Sequence, residues 1–391
     1  MHISEVQEQL KKTKIDGWLL YDFQGLNPIA RKLIGVQGHL LTRRWFYWIP
    51  RSGSPVVLCH RIEQQGFPHV VGTQQVFKSW QEMHAGLQQI LAEAKTLAME
   101  YAPQCSIPYV SRIDAGTMEL IKSLGKEVVS SADLVQFFEA RWSSEQFHTH
   151  QEASRRLMQI LFDSFQAVGF AIRSGNPISE FSLQQAIWGK YREQGLVSSA
   201  PPIIAVNANT GNPHYEPREE RSSPIQSGDL LLLDLWAKMD GPNSVYADYT
   251  WVAYLGDQIP ERYVRIWQIV RESRDAALRF VQDCYRRKID IRGWQVDSAA
   301  REVIAREGYG ENFVHRTGHS IGEEDHGNGA NMDGLETKDE RLLIPRTCFS
   351  IEPGIYFPEF GIRSEVNVFL GDEEVFVTGD PIQTELFKIK I

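Results

Sequence analysis

The apolar and polar positions change their spacing about a third of the way along the chain. Before that point, short apolar runs at 17–23 and 44–60 predict strands, the second of them folded into a hairpin. The stretch 79–95 has helical spacing and starts at Ser79, a favourable N-cap residue. These elements predict a smaller α/β domain over residues 1–140.

The rest of the chain has longer segments that repeat one order. Two pairs of helices are predicted, at about 145–173, 178–195, 259–287 and 294–308. Each pair precedes a predicted β-hairpin, the first around Gly241 and the second at 347–370, while a loop-rich linker at 197–217 and a strand-like segment at 312–322 lie between. We therefore predict an α+β domain over 141–391, built from two helix–helix–hairpin halves related by a pseudo-twofold axis.

Each predicted hairpin carries two carboxylates in an apolar setting. Asp234 and Asp248 are centred on the first turn. Glu352 and Glu365 are centred on the second. Like charges directly opposite each other in an antiparallel pair are destabilising, and burial adds a further penalty for ionised carboxylates. Three arrangements relieve this: a shared proton, an arginine or backbone partner for each acid, or a bound cation.

A plainer interpretation is that the register slips, so that the acids never meet and each hydrogen-bonds to backbone. The cation is the stronger interpretation when nitrogen ligands are also available. His315, His319 and His326 fall within twelve residues, among glycines that allow close backbone approach, and His214 lies upstream of the first hairpin. Four carboxylates and one imidazole suit manganese or a related divalent ion better than structural zinc, and two ions balance four charges better than one.

These residues give the sequence its resemblance to a known family. The chain resembles the pita-bread metallopeptidases, which include prolidase (Xaa-Pro dipeptidase), Xaa-Pro aminopeptidase (aminopeptidase P) and methionine aminopeptidase. Five positions carry the resemblance in order: Asp234, Asp248, His319, Glu352 and Glu365. It implies a pita-bread (creatinase/aminopeptidase) fold over 141–391, preceded by a creatinase-like N-terminal domain over 1–140.

The resemblance also implies an activity. It is hydrolysis of Xaa-Pro peptide bonds, in a small peptide with proline at the second position, by a hydroxide that bridges two divalent metal ions. Manganese is the favoured metal, with cobalt, zinc or iron as alternatives. A homodimer is implied as well.

Residue roles follow from the same resemblance. Asp234 is expected to chelate one ion. Asp248 and Glu365 are expected to bridge both ions, and His319 and Glu352 to complete the second.

The resemblance further assigns proton transfer to Glu352 and donation to the developing oxyanion to His326. His214 and His315 are expected to act on the substrate side of the reaction, and Arg363 to lie beside the proline pocket.

The sequence departs from the family pattern in two places. The turn over 240–245 is longer than is usual between the two aspartates, and Thr250-Trp251 stands where the family has Thr-Arg. We expect both departures to change what fits in the pocket.

Composition removes several other classes of function. A net charge of −9 and an isoelectric point near 5.7 argue against a nucleic-acid surface. No apolar run approaches the ~20 residues of a bilayer span. Four scattered cysteines and an N-terminus without a signal-peptide pattern predict reduced thiols in a cytoplasmic protein.

Three alternatives remain within the same scaffold. One is a creatinase-like C–N amidinohydrolase, and another is a non-enzymatic protein that binds a peptide or a partner. Both types of relative have lost metal ligands, so the presence of all five positions counts against them. A methionine aminopeptidase is disfavoured by the N-terminal half.

Overall fold

The computed structural model describes residues 2–391. The chain folds into two compact units, with the boundary after Glu139. Across the described residues, no helix is both long enough and apolar enough to pass through a bilayer.

The N-terminal unit is a six-stranded mixed sheet with helices. Its helices are α1 (Ile3–Thr13), α2 (Pro28–Ile34), α3 (Trp80–Ile90), α4 (Ala115–Ser123) and α5 (Ala132–Val135). Its strands are β1 (Gly17–Asp22), β2 (Trp45–Pro50), β3 (Val56–His60), β4 (Thr73–Phe77), β5 (Thr96–Met99) and β6 (Glu127–Ser130). The strand order is β4-β3-β2-β1-β5-β6. Both faces of β1 are buried, which explains why its sequence is a continuous apolar run rather than an alternating one.

The C-terminal unit contains the four predicted long helices. They are α6 (Ser144–Arg173), α7 (Glu180–Glu193), α8 (Glu261–Arg286) and α9 (Gly293–Arg306). Its strands are β7 (Leu196–Val197), β8 (Ile203–Val206), β9 (Leu230–Met239), β10 (Ala247–Leu255), β11 (Ser320–Ile321), β12 (Cys348–Ile351), β13 (Gly354–Tyr356), β14 (Gly361–Arg363), β15 (Val366–Leu370), β16 (Val375–Thr378) and β17 (Phe387–Ile389). The helix–helix–hairpin order therefore occurs twice, as predicted.

Helix α6 shows how the sequence sets a helix start and a packing face. Ser143 accepts a hydrogen bond from the backbone of Gln146, whose side chain in turn accepts one from the Ser143 backbone. A stripe of apolar residues including Leu157, Leu161 and Phe165 is buried in the same core as the β9–β10 hairpin. One face of the first hairpin thus packs against α6 and α7. The other face shares a second apolar core with α8 and carries polar groups only beyond that core.

The first hairpin corrects one prediction. Asp234 pairs with Thr250, and Asp248 pairs with Trp236, so the two aspartates are diagonal neighbours rather than directly opposed. The register is centred on residue 242, one position beyond Gly241. Because side chains alternate between faces, a displacement of two residues still leaves both aspartates on the same face.

The second hairpin keeps the predicted opposition but not a continuous ladder. Ile351 pairs with Val366 and Gly354 with Arg363, so Glu352 and Glu365 fall opposite each other. Pro353 follows Glu352 and has no N–H to donate. The hairpin is therefore split into β12–β15 and β13–β14.

The segment 312–322, predicted as a strand, is mostly a loop, and only Ser320–Ile321 is strand. Its backbone is held by side chains instead of a ladder, because Asp297 accepts hydrogen bonds from the backbone and hydroxyl of Thr317. Arg301 pairs with Asp297 and also donates to the carbonyl of His315.

The linker predicted at 197–217 is not entirely loop. Its residues Ile203–Val206 form β8, which pairs antiparallel with β9 opposite Leu231–Asp234. The Pro-, Asn- and Gly-rich composition concealed this short apolar strand.

Two side-chain amides bond to the part of β10 that β17 does not pair. Asn367 accepts a hydrogen bond from the Asp248 backbone N–H and donates one to the Asp248 carbonyl, at 3.0 and 2.7 Å. Gln383 makes the same pair of bonds with Val252, at 3.1 and 2.6 Å. Between them, the backbone N–H of Glu365 donates to the Thr250 carbonyl. This seam joins the two halves of the unit and sets Glu365 beside β10.

Candidate metal centre

The five predicted ligand positions come from two hairpins and one loop. Asp234 and Asp248 lie on β9 and β10, His319 on the loop before β11, and Glu352 and Glu365 next to β12 and β15. His319 Nε2 is 3.5 Å from Asp248 Oδ2 and 3.5 Å from Glu352 Oε1. Ligand atoms of Asp248, His319 and Glu365 all lie within 4.8 Å of one another. The structure therefore brings together residues that are up to 131 positions apart in the sequence.

Two of these carboxylates have an oxygen that suits a cation. Among the described residues, Asp248 Oδ1 and Glu365 Oε1 are buried and have no hydrogen-bond partner. A buried carboxylate oxygen without a donor costs free energy unless it is protonated or bound to a metal ion. The residues present thus fit a divalent ion, and the two orphaned oxygens belong to the two residues predicted to bridge.

Burial and mutual repulsion set the protonation of the site. Burial raises the pKa of Asp248 well above its ordinary value, and the charge of Glu365 adds to the effect. Burial likewise raises the pKa of Glu352 to about 7. Burial lowers the pKa of His319 well below its ordinary value, so its imidazole is neutral and can ligate a metal.

Arg363 is buried among the carboxylates. Its Nη2 forms an ion pair with Asp234 Oδ2, and its Nε donates to Thr250 Oγ1 at 2.9 Å. Thr250 Oγ1 donates in turn to Glu365 Oε2 at 2.9 Å. One Asp234 oxygen is thus already in contact with a cation, and chelation by both Asp234 oxygens stays a prediction.

The predicted substrate-side histidines are in three different environments. His315 Nε2 is 2.8 Å from the hydroxyl of Tyr356, which also accepts from Arg363 Nη1 at 3.3 Å. The ring of His326 is exposed and lies 4.2 Å from the ring of His319. His214 is exposed on the loop before β9.

Burial keeps two of these imidazoles neutral. It lowers the pKa of His315 to about 3, with the charge of Arg363 adding to the effect. The pKa of His326 is lowered as well, because one side of its half-exposed ring is covered by His319 and because Arg316 and His214 carry charge nearby.

Trp251, which departs from the family pattern, does not face the carboxylates. Its ring packs against Phe162 at 5.0 Å and Phe387 at 6.4 Å in the helical core. Strand alternation explains this, because Thr250 faces the site and its neighbour must face the other way. The expectation that Trp251 changes the pocket is therefore wrong.

The extended turn contacts another loop. Tyr246 donates its backbone N–H to the Gly322 carbonyl at 2.9 Å, and Lys238 Nζ donates to the Glu323 carbonyl at 2.6 Å. Ser244 Oγ closes the turn by donating to the Met239 carbonyl. The extra residues thus fasten the loop that follows His319.

A family comparison decides what this centre belongs to. A model of metallopeptidase family M24 matches residues 151–372, more than half of the chain and all five candidate ligands. The chain belongs to metallopeptidase family M24.

Curated relatives of this M24 chain are peptidases by name. An Xaa-Pro dipeptidase of Lactobacillus helveticus is 34% identical over 200 residues, which are 51% of this chain and 50% of that protein. An uncharacterized peptidase of Bacillus subtilis (strain 168) is 30% identical over 246 residues, 62% of this chain and 63% of that protein. The chain thus aligns with about half the length of the first relative and under two thirds of the second.

Solved structures match this M24 chain over nearly its whole length. The dipeptidase PepE from Mycobacterium ulcerans superposes with a TM-score of 0.70 at 21% identity, over 99% of this chain and 96% of that one. A dipeptidase from Pyrococcus horikoshii OT3 superposes with a TM-score of 0.65 at 25% identity, over 99% and 100%. The predicted pita-bread fold is confirmed.

Several residues at the site of this M24 chain were not predicted from its sequence. Asp325 lies beside His319 and His326 and forms with them a second group of possible ligands. Its signal was available, since an acid next to His326 lies between two glycines. Asn367 and Asp297 act through backbone groups of other segments, and no spacing in the sequence points to that.

Proposed function

We propose that this M24 chain is a peptidase that hydrolyses Xaa-Pro bonds with two divalent metal ions. One observation carries the proposal: buried carboxylates from two hairpins converge with a neutral imidazole, and Asp248 and Glu365 each hold an unpartnered oxygen. The names of the curated dipeptidase relative and of the solved dipeptidases support the choice of reaction.

The residues of the metal centre have two roles: five would bind the metal ions, and Arg363 would balance part of their negative charge. Asp248 and Glu365 would bridge the two ions, with Asp234 on one and His319 and Glu352 on the other. Such ions supply Lewis-acid activation of water and of the scissile carbonyl. Manganese is our favoured metal, since oxygen ligands dominate the set. Arg363 would balance part of the carboxylate charge through Asp234, and its place beside the proline pocket stays a prediction.

Glu352 is our candidate for moving a proton. Burial raises the pKa of its carboxyl to about 7, where acceptance and release of a proton are both accessible at neutral pH. Ser350 Oγ donates to Glu352 Oε1 at 3.1 Å and orients it. Glu352 would take the proton from the attacking water and deliver it to the proline nitrogen, which is the leaving group.

The histidines form the substrate side. The neutral His326 is our proposed hydrogen-bond donor to the oxyanion that develops on the scissile carbonyl. His214 and the His315–Tyr356 pair would line the binding site. A prolyl residue lacks an N–H and has a fixed φ, so it is recognised by shape and not by backbone pairing.

The test compares substrates on metal-loaded protein. We expect manganese-loaded protein to cleave Xaa-Pro dipeptides or Xaa-Pro-Yaa tripeptides, and not the matched Xaa-Ala peptides. Preference for dipeptides would identify a dipeptidase, and preference for tripeptides an aminopeptidase. Absence of turnover across the whole panel, with two ions per chain verified by mass spectrometry, would refute the proposed reaction.

Two further expectations accompany the proposal. Light scattering after size exclusion should give the mass of a homodimer. A cytoplasmic location also stays a prediction, which fractionation of the source cells would test.

A further inference from the structure

Asp325 lies at the centre without belonging to the five-residue pattern. Its carboxylate joins the imidazoles of His319 and His326 in a group whose ligand atoms all lie within 4.8 Å of one another. Within residues 2–391, Asp325 Oδ1 is buried and has no N–H or O–H donor. A short polar side chain in this condition is typical of a cation ligand.

The loop that carries Asp325 is fastened rather than free. Lys238 Nζ donates to the Glu323 carbonyl, and the Tyr246 N–H donates to the Gly322 carbonyl. The Gly322 N–H donates to the Glu324 carbonyl at 3.0 Å, which closes a tight turn just before Asp325. The extended turn after β9 therefore holds Asp325 in place, and a held ligand loses less entropy on binding a cation.

Asp325 adds a fifth carboxylate to a site already rich in them. Asp248 also keeps one buried oxygen without a donor. A cation would satisfy these buried acceptor oxygens.

We propose that Asp325 is an additional metal ligand of this centre, binding through Oδ1 the ion that His319 holds. This inference rests on the proposed function, since it adds a sixth ligand to the same site. Asp325 Oδ2 then remains 3.9 Å from His326 Nε2, where it would orient the proposed oxyanion donor. The chain would hold this ion more tightly than the five-residue pattern alone provides.

The experiment measures metal binding to metal-free protein by calorimetric titration with manganese. Asp325→Asn keeps the shape of the side chain and removes the ligand charge. Glu324→Gln is the matched control, because it changes the neighbouring exposed carboxylate by the same charge. We expect Asp325→Asn to weaken one of two manganese sites by about 10- to 100-fold, the range seen when support around a metal is removed. Glu324→Gln should bind like the parent protein.

Cobalt gives a second measurement, which changes only if Asp325 coordinates the ion and not if Asp325 merely supports the fold. The visible absorption of the cobalt-loaded protein should change in Asp325→Asn and not in Glu324→Gln, because the coordination of one ion changes. Melting of the metal-free variant checks its fold. We expect its Tm to be equal to or above that of the parent, since a repulsive charge is gone.

The outcomes separate this inference from the proposed function. Parent-like manganese affinity and cobalt absorption in Asp325→Asn, with metal loss in Asp248→Asn, would overturn only the Asp325 assignment. Parent-like binding in both variants would overturn the metal centre itself. Loss of a site in both, with Glu324→Gln unaffected, supports the two proposals together.

Discussion

The two hairpins place their carboxylates by different means. In the first, β9 and β10 pair without interruption over eight residue pairs, and the two aspartates lie diagonally on one face. In the second, Glu352 and Glu365 are opposite in register, yet their backbones bond elsewhere. The Glu352 N–H donates to the Thr317 carbonyl, and the Glu365 N–H to the Thr250 carbonyl.

The difference shows what each hairpin does for the site. The first is a regular platform whose geometry follows from pairing and from the helices behind it. The second is bent at Pro353 so that its acids bond to the first hairpin and to the His319 loop. Convergence thus depends on the seam between the halves as much as on the hairpins.

The largest expected effect is the loss of a bridging carboxylate, and it tests whether the two hairpins contribute equally. Asp248→Asn and Glu365→Gln should each remove at least one metal ion. Each should lower kcat/KM by more than about a hundredfold, or about 3 kcal/mol, because a ligand amide does not replace a charged oxygen. Mass spectrometry of the metal content and steady-state kinetics measure this. A variant that keeps both ions would show that its hairpin does not bridge.

A second prediction concerns the counter-charge to the first hairpin. Arg363→Met leaves Asp234 buried without its cation, so metal-free protein should lose about 3 kcal/mol of unfolding free energy. Manganese should restore part of this loss, because ions also neutralise Asp234. Urea unfolding with chelator and with manganese measures both.

The control for that prediction is Arg341→Met. Arg341 pairs with Asp339 at 2.6 Å, and both are buried, but neither is a candidate ligand. We expect a similar loss of stability with no recovery by manganese. Equal recovery in the two variants would contradict a specific role of Arg363 at the site.

The third prediction tests whether the side-chain bonds of Asn367 and Gln383 to β10 contribute to metal binding. Asn367→Leu leaves the Asp248 backbone groups unpaired and should cost about 2 kcal/mol of stability. It should also weaken metal binding, because Asp248 loses its position. Gln383→Leu breaks the equivalent bonds at Val252 and should cost as much stability with parent-like metal affinity. Equal metal affinity in both variants would show that the seam does not position the metal ligands.

The smallest effect is a pH dependence of the metal-free protein. Burial raises the pKa of Glu352 to about 7 from its ordinary value of 4.5, so between these values the folded state keeps a proton that the unfolded state releases. The contribution of Glu352 to stability must therefore fall as the pH rises through this window.

Glu352→Gln should reduce that fall by about 1 kcal/mol between about pH 6 and pH 7. Chemical unfolding at the two pH values measures it. Manganese should abolish the dependence on pH in the parent protein, since it replaces the proton. An unchanged slope in Glu352→Gln would mean that another group carries the dependence.

Much of the architecture could be predicted from the sequence. The helices at 144–173 and 261–286 have strong amphipathic periodicity, and their bounds differ by only one or two residues from the predicted ones. The acids of the hairpins were visible because carboxylates in apolar runs are rare. Local pattern was sufficient in these cases.

The rest depended on contacts that have no local pattern. The register of the first hairpin is centred on residue 242, and the residue after its turn, Tyr246, bonds through its backbone to Gly322 in a distant loop. The family motif suggests that Trp251 lies in the pocket. Because side chains alternate along a strand, Trp251 instead points into the hydrophobic core. Asn367 forms no motif, since its partners are backbone atoms 119 residues away.

Gly318 limits which amino-acid substitutions are possible next to His319. A Cβ at this position would lie 1.9 Å from the Ser350 carbonyl oxygen, so the loop can approach β12 this closely only without a side chain. In a saturation library over 313–322, nearly every codon other than glycine should disappear at 318 under selection for function, whereas the exposed Val314 should accept most of them. The chemistry of the histidine is thereby tied to a residue that contributes no functional group.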